Sequence, residues 1–408
     1  MALMEHVSPF RFHATQEDTA AVVSPAAWRI ATPPRPALRA TVIVPVKDEA
    51  DNLPLTLAAL AAQTDLAGRP LNPNSYEVIV LANNCRDQTA AVARRFAAAH
   101  PYLALHVGEI MLPPAEAHVG RARRLLMDEA CRRLELVPNA EGLILSTDGD
   151  TRVAPTWLAA NQAELLRHRA DAVGGRILTP RTSAHPAERR YYLRDMAYRL
   201  LRARLEQLLD PNSADPWPCH HQHFGASFAI TARAYRRVGG LPVVAYLEDE
   251  ALFQALCRHD LRVRHSPLVR VFTSDRHEGR VEVGLSWQLR QWAALQEQQQ
   301  EPLVESAAQL MADWRARRQL RAIWRVAGLA EVPASDVQQA AGNLGIAAQM
   351  LGLQLRQAAT FGELWHWVQQ EQSRSGGLRL WTLVPLSQAV TELRVQVARY
   401  EKLGDFFE

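Results

Sequence analysis

At 408 residues, 48% hydrophobic and 22% charged, the chain has the make-up of a globular protein with one large domain and additions to it. A net charge of +3 is too small to point to nucleic acid, although arginine far outnumbers lysine and local anion sites stay open. No run approaches about 20 uninterrupted apolar residues, which argues against a membrane span. The scattered Cys85, Cys131, Cys219 and Cys257, and an N-terminus without a signal-peptide core, point to a reduced, cytoplasmic chain.

Residues 1–40, rich in Ala, Pro and Thr, read as an N-terminal arm. Strand-like and helix-like runs then alternate: strands at 41–46, 77–82, 103–107 and 142–147, helices at 50–63, 87–100 and 116–134. The strands show little polar alternation, as in a mostly parallel sheet covered on both faces, so the pattern predicts a doubly wound α/β layer. Ligands of such sheets sit beyond the carboxyl ends of the strands. Those ends carry Lys47-Asp48-Glu49, Asn83-Asn84, and Asp148 with Asp150.

Further along, 171–177 reads as a strand and 187–209 as an amphipathic helix. The stretch 223–242 reads as a strand, a turn into a helix and a glycine stop; "LRVRHSP" and "LVRVFTS" read as a pair of strands. Beyond a linker at 296–302 the chain is mostly helical. The organisation expected is an arm at 1–40, a first α/β part at 41–180, a second part at 181–292 and a mostly helical extension at 293–408.

Two carboxylates one residue apart at a strand end, Asp148 and Asp150, repel each other unless a cation sits beside them. A hard ion such as Mg²⁺ or Mn²⁺ suits such oxygen donors and fills its other positions with water and diphosphate. Taken alone, the motif reads equally well as an Asp-Gly turn and a helix cap.

Five ordered stretches shift that balance. "TVIVPVKDEADNLPLTLAAL", "EVIVLANNCRDQTAAVARRF", "STDGDTRVAPTWL", "FGASFAITARAYRRVGGLP" and "LEDEALFQAL" resemble the motifs of family-2 glycosyltransferases, nucleotide-sugar-dependent enzymes of the GT-A fold, over residues 40–292. The resemblance implies a metal-dependent transfer of a sugar from a nucleoside-diphosphate donor to an acceptor hydroxyl, with inversion. It implies Mg²⁺ or Mn²⁺ on Asp148 and Asp150, with His277 as a further ligand and Asp275 less favoured. Pro45, Glu49 and Asp148 fall on the donor side; Asn83 stands where the family usually has an aspartate directed at the base. Gly120 and Arg121 resemble the stretch lying against the diphosphate. Asp249 takes the place of the general base, with Glu248 orienting its neighbours. Gly225 and Ala226 resemble the acceptor-side turn, and Arg290 with Trp292 a closing element, although "WQLRQW" departs from the spacing of the processive synthases.

Other readings stand beside this one. "HHQH" at 220–223 reads as acceptor contact or packing rather than zinc, and His265 as a core or edge residue. Sugar-nucleotidyl transfer lacks its glycine-rich loop in "PVKDEADNL". A retaining mechanism, as in soluble glucosyl-phosphoglycerate and mannosylglycerate synthases, and a non-catalytic nucleotide-sugar-binding protein stay open. The C-terminal helices are expected either to cover the acceptor cleft or to build a homodimer. No nucleic-acid partner is expected.

Overall fold

The computed structural model describes residues 28–138, 141–179, 186–274, 287, 291–292, 294–295, 298, 300–328, 330–374 and 381–404. Its framework is an eight-stranded sheet in the order β3-β2-β1-β4-β7-β6-β8-β5. The strands are β1 (Ala40–Val46), β2 (Tyr76–Asn83), β3 (Ala104–Ile110), β4 (Leu143–Ser146), β5 (Thr151–Val153), β6 (Ala172–Leu178), β7 (Phe228–Thr231) and β8 (Val263–Thr273). β1 pairs in parallel with β2 and β4, as do β2 with β3 and β6 with β8; β4–β7, β6–β7 and β5–β8 are antiparallel. The expected doubly wound, mostly parallel α/β layer is what forms.

Its two faces follow from residue alternation along β1. Val42, Val44 and Val46 pack with α1 (Leu53–Ala61), α2 (Thr89–Ala99) and α4 (Trp157–His168). Ile43 points the other way, toward α3 (Val119–Glu135), α6 (Ala232–Arg237) and α7 (Glu248–Arg258). Pro45 sits inside this buried strand without loss. The β1–β4 ladder reaches only Ile43↔Ser146, so the missing N–H of Pro45 faces the side where β4 has ended.

Two expectations are corrected. "LRVRHSP" and "LVRVFTS" do not pair with each other; they form one strand, β8, between β6 and β5. The β6–β8 register skips from Gly175↔Ser266 to Arg176↔Arg270, and Pro267 lies in that bulge, where no ladder donor is needed. β5 was not expected at all. Its three residues directly follow Asp150 and pair with the end of β8.

The C-terminal part is helical as expected: α8 (Ala307–Ala327), α9 (Ala334–Leu344), α10 (Ala348–Gln357), α11 (Phe361–Arg374) and α12 (Leu386–Gly404), with a small ladder of β9 (Leu303–Val304) and β10 (Val384–Pro385). Leu205 and Leu209 of α5 (Pro186–Leu209) join α8 and α12 in one apolar cluster. A second cluster links α8 to α11. The start of α11 is held by Asp260, just past α7, whose carboxylate accepts from Phe361 N and Gly362 N at 2.8 Å each. Gly362 permits this docking, because a Cβ there would lie 1.8 Å from the Cys257 carbonyl oxygen. The extension is therefore fixed to the far end of the helix that begins with Glu248 and Asp249. No helix among the described residues is long and apolar enough to cross a membrane.

Candidate active site

At the carboxyl edge of the sheet, the ends of β1, β2 and β4 and the first turn of α7 bring the acids together. Gly149 lets the loop after β4 lie against β1: a Cβ there would stand 2.7 Å from Val46 and 3.1 Å from Glu49 Cγ. Glu49 is thereby placed beside the Asp148–Asp150 turn and is buried. Thr56 of α1 donates to the Gly149 carbonyl oxygen at 2.9 Å, pinning the turn. Asp150 accepts from Ser274 Oγ at 2.8 Å, a contact the unforeseen β5–β8 pairing creates.

The centre of the cluster is Arg123, a residue the motif reading passed over. Its Nη2 lies 2.7 Å from Asp148 Oδ1, and its Nη1 is hydrogen-bonded to Glu248 Oε1. Gly225 allows it to pass, since a Cβ there would fall 2.3 Å from the guanidinium carbon. The signal was present in the sequence. Gly120, Arg123, Met127 and Ala130 form the buried stripe of α3, and a charge on such a stripe requires a buried partner.

Among the described residues, the Arg123 guanidinium faces several of these acids at once. Burial, then Asp150, Asp249 and Glu49, push the Asp148 carboxyl up to about 6 despite Arg123. Burial and the neighbouring Asp249 and Asp148 also raise Glu248, while Arg123 itself is raised by the surrounding negative charge in spite of its burial. Asp249 bridges two elements: its Oδ2 accepts from Gly225 N at 2.9 Å and its Oδ1 from Glu250 N at 2.8 Å. Buried polar atoms without partners gather at the same edge, namely Asn83 Oδ1 at the end of β2, Ser146 Oγ and Thr147 Oγ1 at the end of β4, and Arg123 Nε. Orphaned buried donors and acceptors call for a ligand or ordered water.

The fit to a divalent ion rests on this donor set. Asp148 and Asp150 offer hard oxygens beside the further acids Glu49 and Asp249, and among the described residues Asp148 Oδ2 carries no hydrogen bond. His277 and Arg290 lie outside the described residues, as does Asp275. Among the described residues, one set of three metal-type donors has its atoms within 4.8 Å of one another: Asp48, Cys85 and Asp87. These donors already serve the loops: Asp48 accepts from Arg86 N, Asp87 from Ala50 N and Thr89 N, and Cys85 from Asp48 N.

Other expected residues fall elsewhere. The close approach that Gly120 allows is to the Val244 carbonyl oxygen, which a Cβ would meet at 2.2 Å. Arg121 pairs with Glu116 at 3.1 Å and lines a cavity of about 530 Å³ between α3 and α6, with Arg124, Arg132, Tyr235 and Arg236. Every guanidinium of that group already holds a carboxylate. Trp292 is buried against Tyr192, with ring centroids 6.3 Å apart. Ala226 is buried in the 3₁₀ turn Gly225–Ser227. His220, Gln222 and His223 are buried and hydrogen-bonded within the protein, so "HHQH" packs rather than meets solvent.

Comparison with known proteins adds a family to this geometry. Residues 41–222 match the family model described as Glycosyl transferase family 2. Glycosyltransferase AglE of Haloferax volcanii is 28% identical over 152 residues, which is 37% of this chain and 43% of the relative, so the match spans less than half of that protein. Among solved structures, the mannosyltransferase PcManGT from Pyrobaculum calidifontis in complex with GDP-Man and Mn²⁺ is 18% identical with a TM-score of 0.42, over 91% of this chain and 89% of the other. S. aureus TarS 1–349 in complex with UDP is 16% identical with a TM-score of 0.42, over 83% and 92%.

Proposed function

We propose that this chain, whose residues 41–222 match the glycosyl transferase family 2 model, moves a sugar from a nucleoside-diphosphate donor to an acceptor hydroxyl. The observation that carries the reading is the cluster of Asp148, Asp150, Glu49, Glu248 and Asp249 around Arg123, set at the strand ends where such sheets bind ligands. Asp148 and Asp150 would hold Mg²⁺ or Mn²⁺, which when bound neutralises charge on the leaving diphosphate.

The chain's own residues supply the rest. Asn83 offers its buried, unpartnered Oδ1 to an N–H of the base. Arg123 holds Asp148 and Glu248 apart from each other and fixes their direction. Asp249, fixed at the start of α7 by two backbone N–H groups, accepts the acceptor hydroxyl's proton as that oxygen attacks the anomeric carbon, which gives inversion.

The test is turnover and hydrolysis of UDP, GDP, ADP and TDP sugars with and without Mn²⁺, in the wild type, Asp150→Asn and Asp249→Asn. Asp150→Asn should lose metal-dependent turnover by about 10²–10³-fold with its fold intact. Asp249→Asn should keep donor binding and lose transfer. Full turnover in both variants would remove this assignment, and a product that keeps the donor's anomeric configuration would remove Asp249 as base.

A further inference from the structure

Behind Asp249 lies a chain of buried titratable groups that the proposed transfer does not use. It runs from Asp215 through His265 and His223 to Glu250. His265 Nδ1 is 2.7 Å from Asp215 Oδ2, His223 Nδ1 is 3.3 Å from His265 Nε2, and His223 Nε2 is 2.7 Å from Glu250 Oε2. Both histidines are 8% exposed, and Phe253 stacks on His223 at 3.9 Å, so water does not interrupt the chain.

We propose that His223 and His265 share a single proton between two ionised carboxylates, and that this clamp positions Asp249, a role that rests on the transfer reading above. The proton count follows from the contacts. Each outer ring nitrogen faces a carboxylate oxygen and must carry hydrogen to bond it. Two bare inner nitrogens would set lone pair against lone pair, and two protonated ones would set N–H against N–H. One inner hydrogen satisfies both rings, giving one imidazolium and one imidazole.

The surroundings support that state. Burial raises Glu250, but His223, Gln254 and His265 bring it below its ordinary value; His265 and Arg264 do the same for Asp215. Arg264 binds Asp215 at 2.9 Å and is itself balanced by Glu164 at 3.0 Å. His220, beside His265, is pushed down to about 3, chiefly by burial, and His221 is also lowered, with Arg176 and Arg199 adding positive charge near them. Cys257, near Glu250, is pushed up to about 12 by burial, so it stays a thiol. Among the described residues, these neighbours leave the proton to the pair.

The clamp acts on Asp249 through geometry. The His223–Glu250 bond ties the segment before β7 to the first turn of α7. Those are the two pieces that the Asp249 carboxylate bridges, through Gly225 N and Glu250 N. Breaking the clamp lets the two pieces part and the Asp249 carboxylate turn.

The full-length chain labelled with ¹⁵N-histidine tests the proton without any substrate. Wild-type spectra at neutral pH should show outer N–H groups on both rings and inner nitrogens averaged between imidazole and imidazolium, and His265→Gln should abolish the averaging on His223. Two plain neutral rings, or two full imidazoliums, would overturn the shared proton. With the donor sugar that the wild type turns over, His223→Gln should lower kcat by about 10- to 100-fold with donor KM within about twofold. Glu250→Gln, which still accepts from His223, should retain more activity. A folded His223→Gln with wild-type kcat would overturn the positioning role. Absence of any turnover in the wild type would remove the transfer reading and the positioning role together, leaving the NMR result to decide the shared proton by itself.

Discussion

Two buried arginines on α3, Arg123 and Arg133, lie about 15 Å apart along the helix and do opposite things. Because α3 runs back across the sheet, Arg133 falls at the amino edge. There its Nε and Nη2 grip both oxygens of Glu77, at 2.9 and 2.6 Å, and its Nη1 donates to the Thr32 carbonyl oxygen at 2.6 Å. Thr41 and His106 complete the shell around Glu77. One cation meets one anion and the carboxylate's oxygens are satisfied; burial alone would raise Glu77, yet Arg133 and His106 hold it down to about 2. At the carboxyl edge, Arg123 meets an excess of acids, its Nε has no partner, and Asp148 is pushed up to about 6. A balanced buried pair is architecture, whereas an unbalanced one is a place prepared for a ligand.

The largest expected effect breaks the balanced side. Arg133→Met leaves Glu77 buried without its cation and should cost about 3–5 kcal/mol of stability, while a double replacement by apolar residues should recover most of it, read by urea unfolding. Next comes the acid cluster: Arg123→Met should lower turnover by about 10²-fold with a smaller loss of stability, because the carboxyls of Glu248 and Asp148, already raised by burial and by neighbouring acids, can take up protons when the cation is gone. Equal stability losses in the two variants would erase the contrast.

A subtler separation uses acid. Glu77 has an ordinary value of 4.5 and is held at about 2, so its contribution is complete above about pH 4.5 and disappears as pH falls through about 2. Glu77→Gln should therefore flatten the acid limb of stability over that window, and an unchanged limb would assign it to other carboxylates. Smallest of all, Arg121→Ala should change stability by less than about 1 kcal/mol and leave turnover near wild type, since Arg121 pairs with Glu116 at the outer cavity. A large loss of turnover would return Arg121 to the diphosphate and weaken the case for Arg123.

How far the sequence could be read depended on whether neighbours in space were neighbours in the chain. The first four strands and their helices were legible because each is a local periodicity closed by its own turn, and Asp148, Asp150, Glu49 and Asn83 were legible because a parallel sheet puts every strand end on one edge. β5 was not, since three residues carry no period, and their strand state comes from the end of β8, far away in the chain. The single strand β8 was read as two for a related reason: the bulge at Pro267 exists only relative to β6.

The same division runs through the site. Composition, the chain order of the first four strands and the polar residues at their ends were legible in the sequence itself. Which arginine turns inward, which carbonyl Gly120 accommodates, and how His223 finds His265 were decided by tertiary packing. Charge balance is a property of groups brought within a few ångströms, and only the folded chain sets those distances.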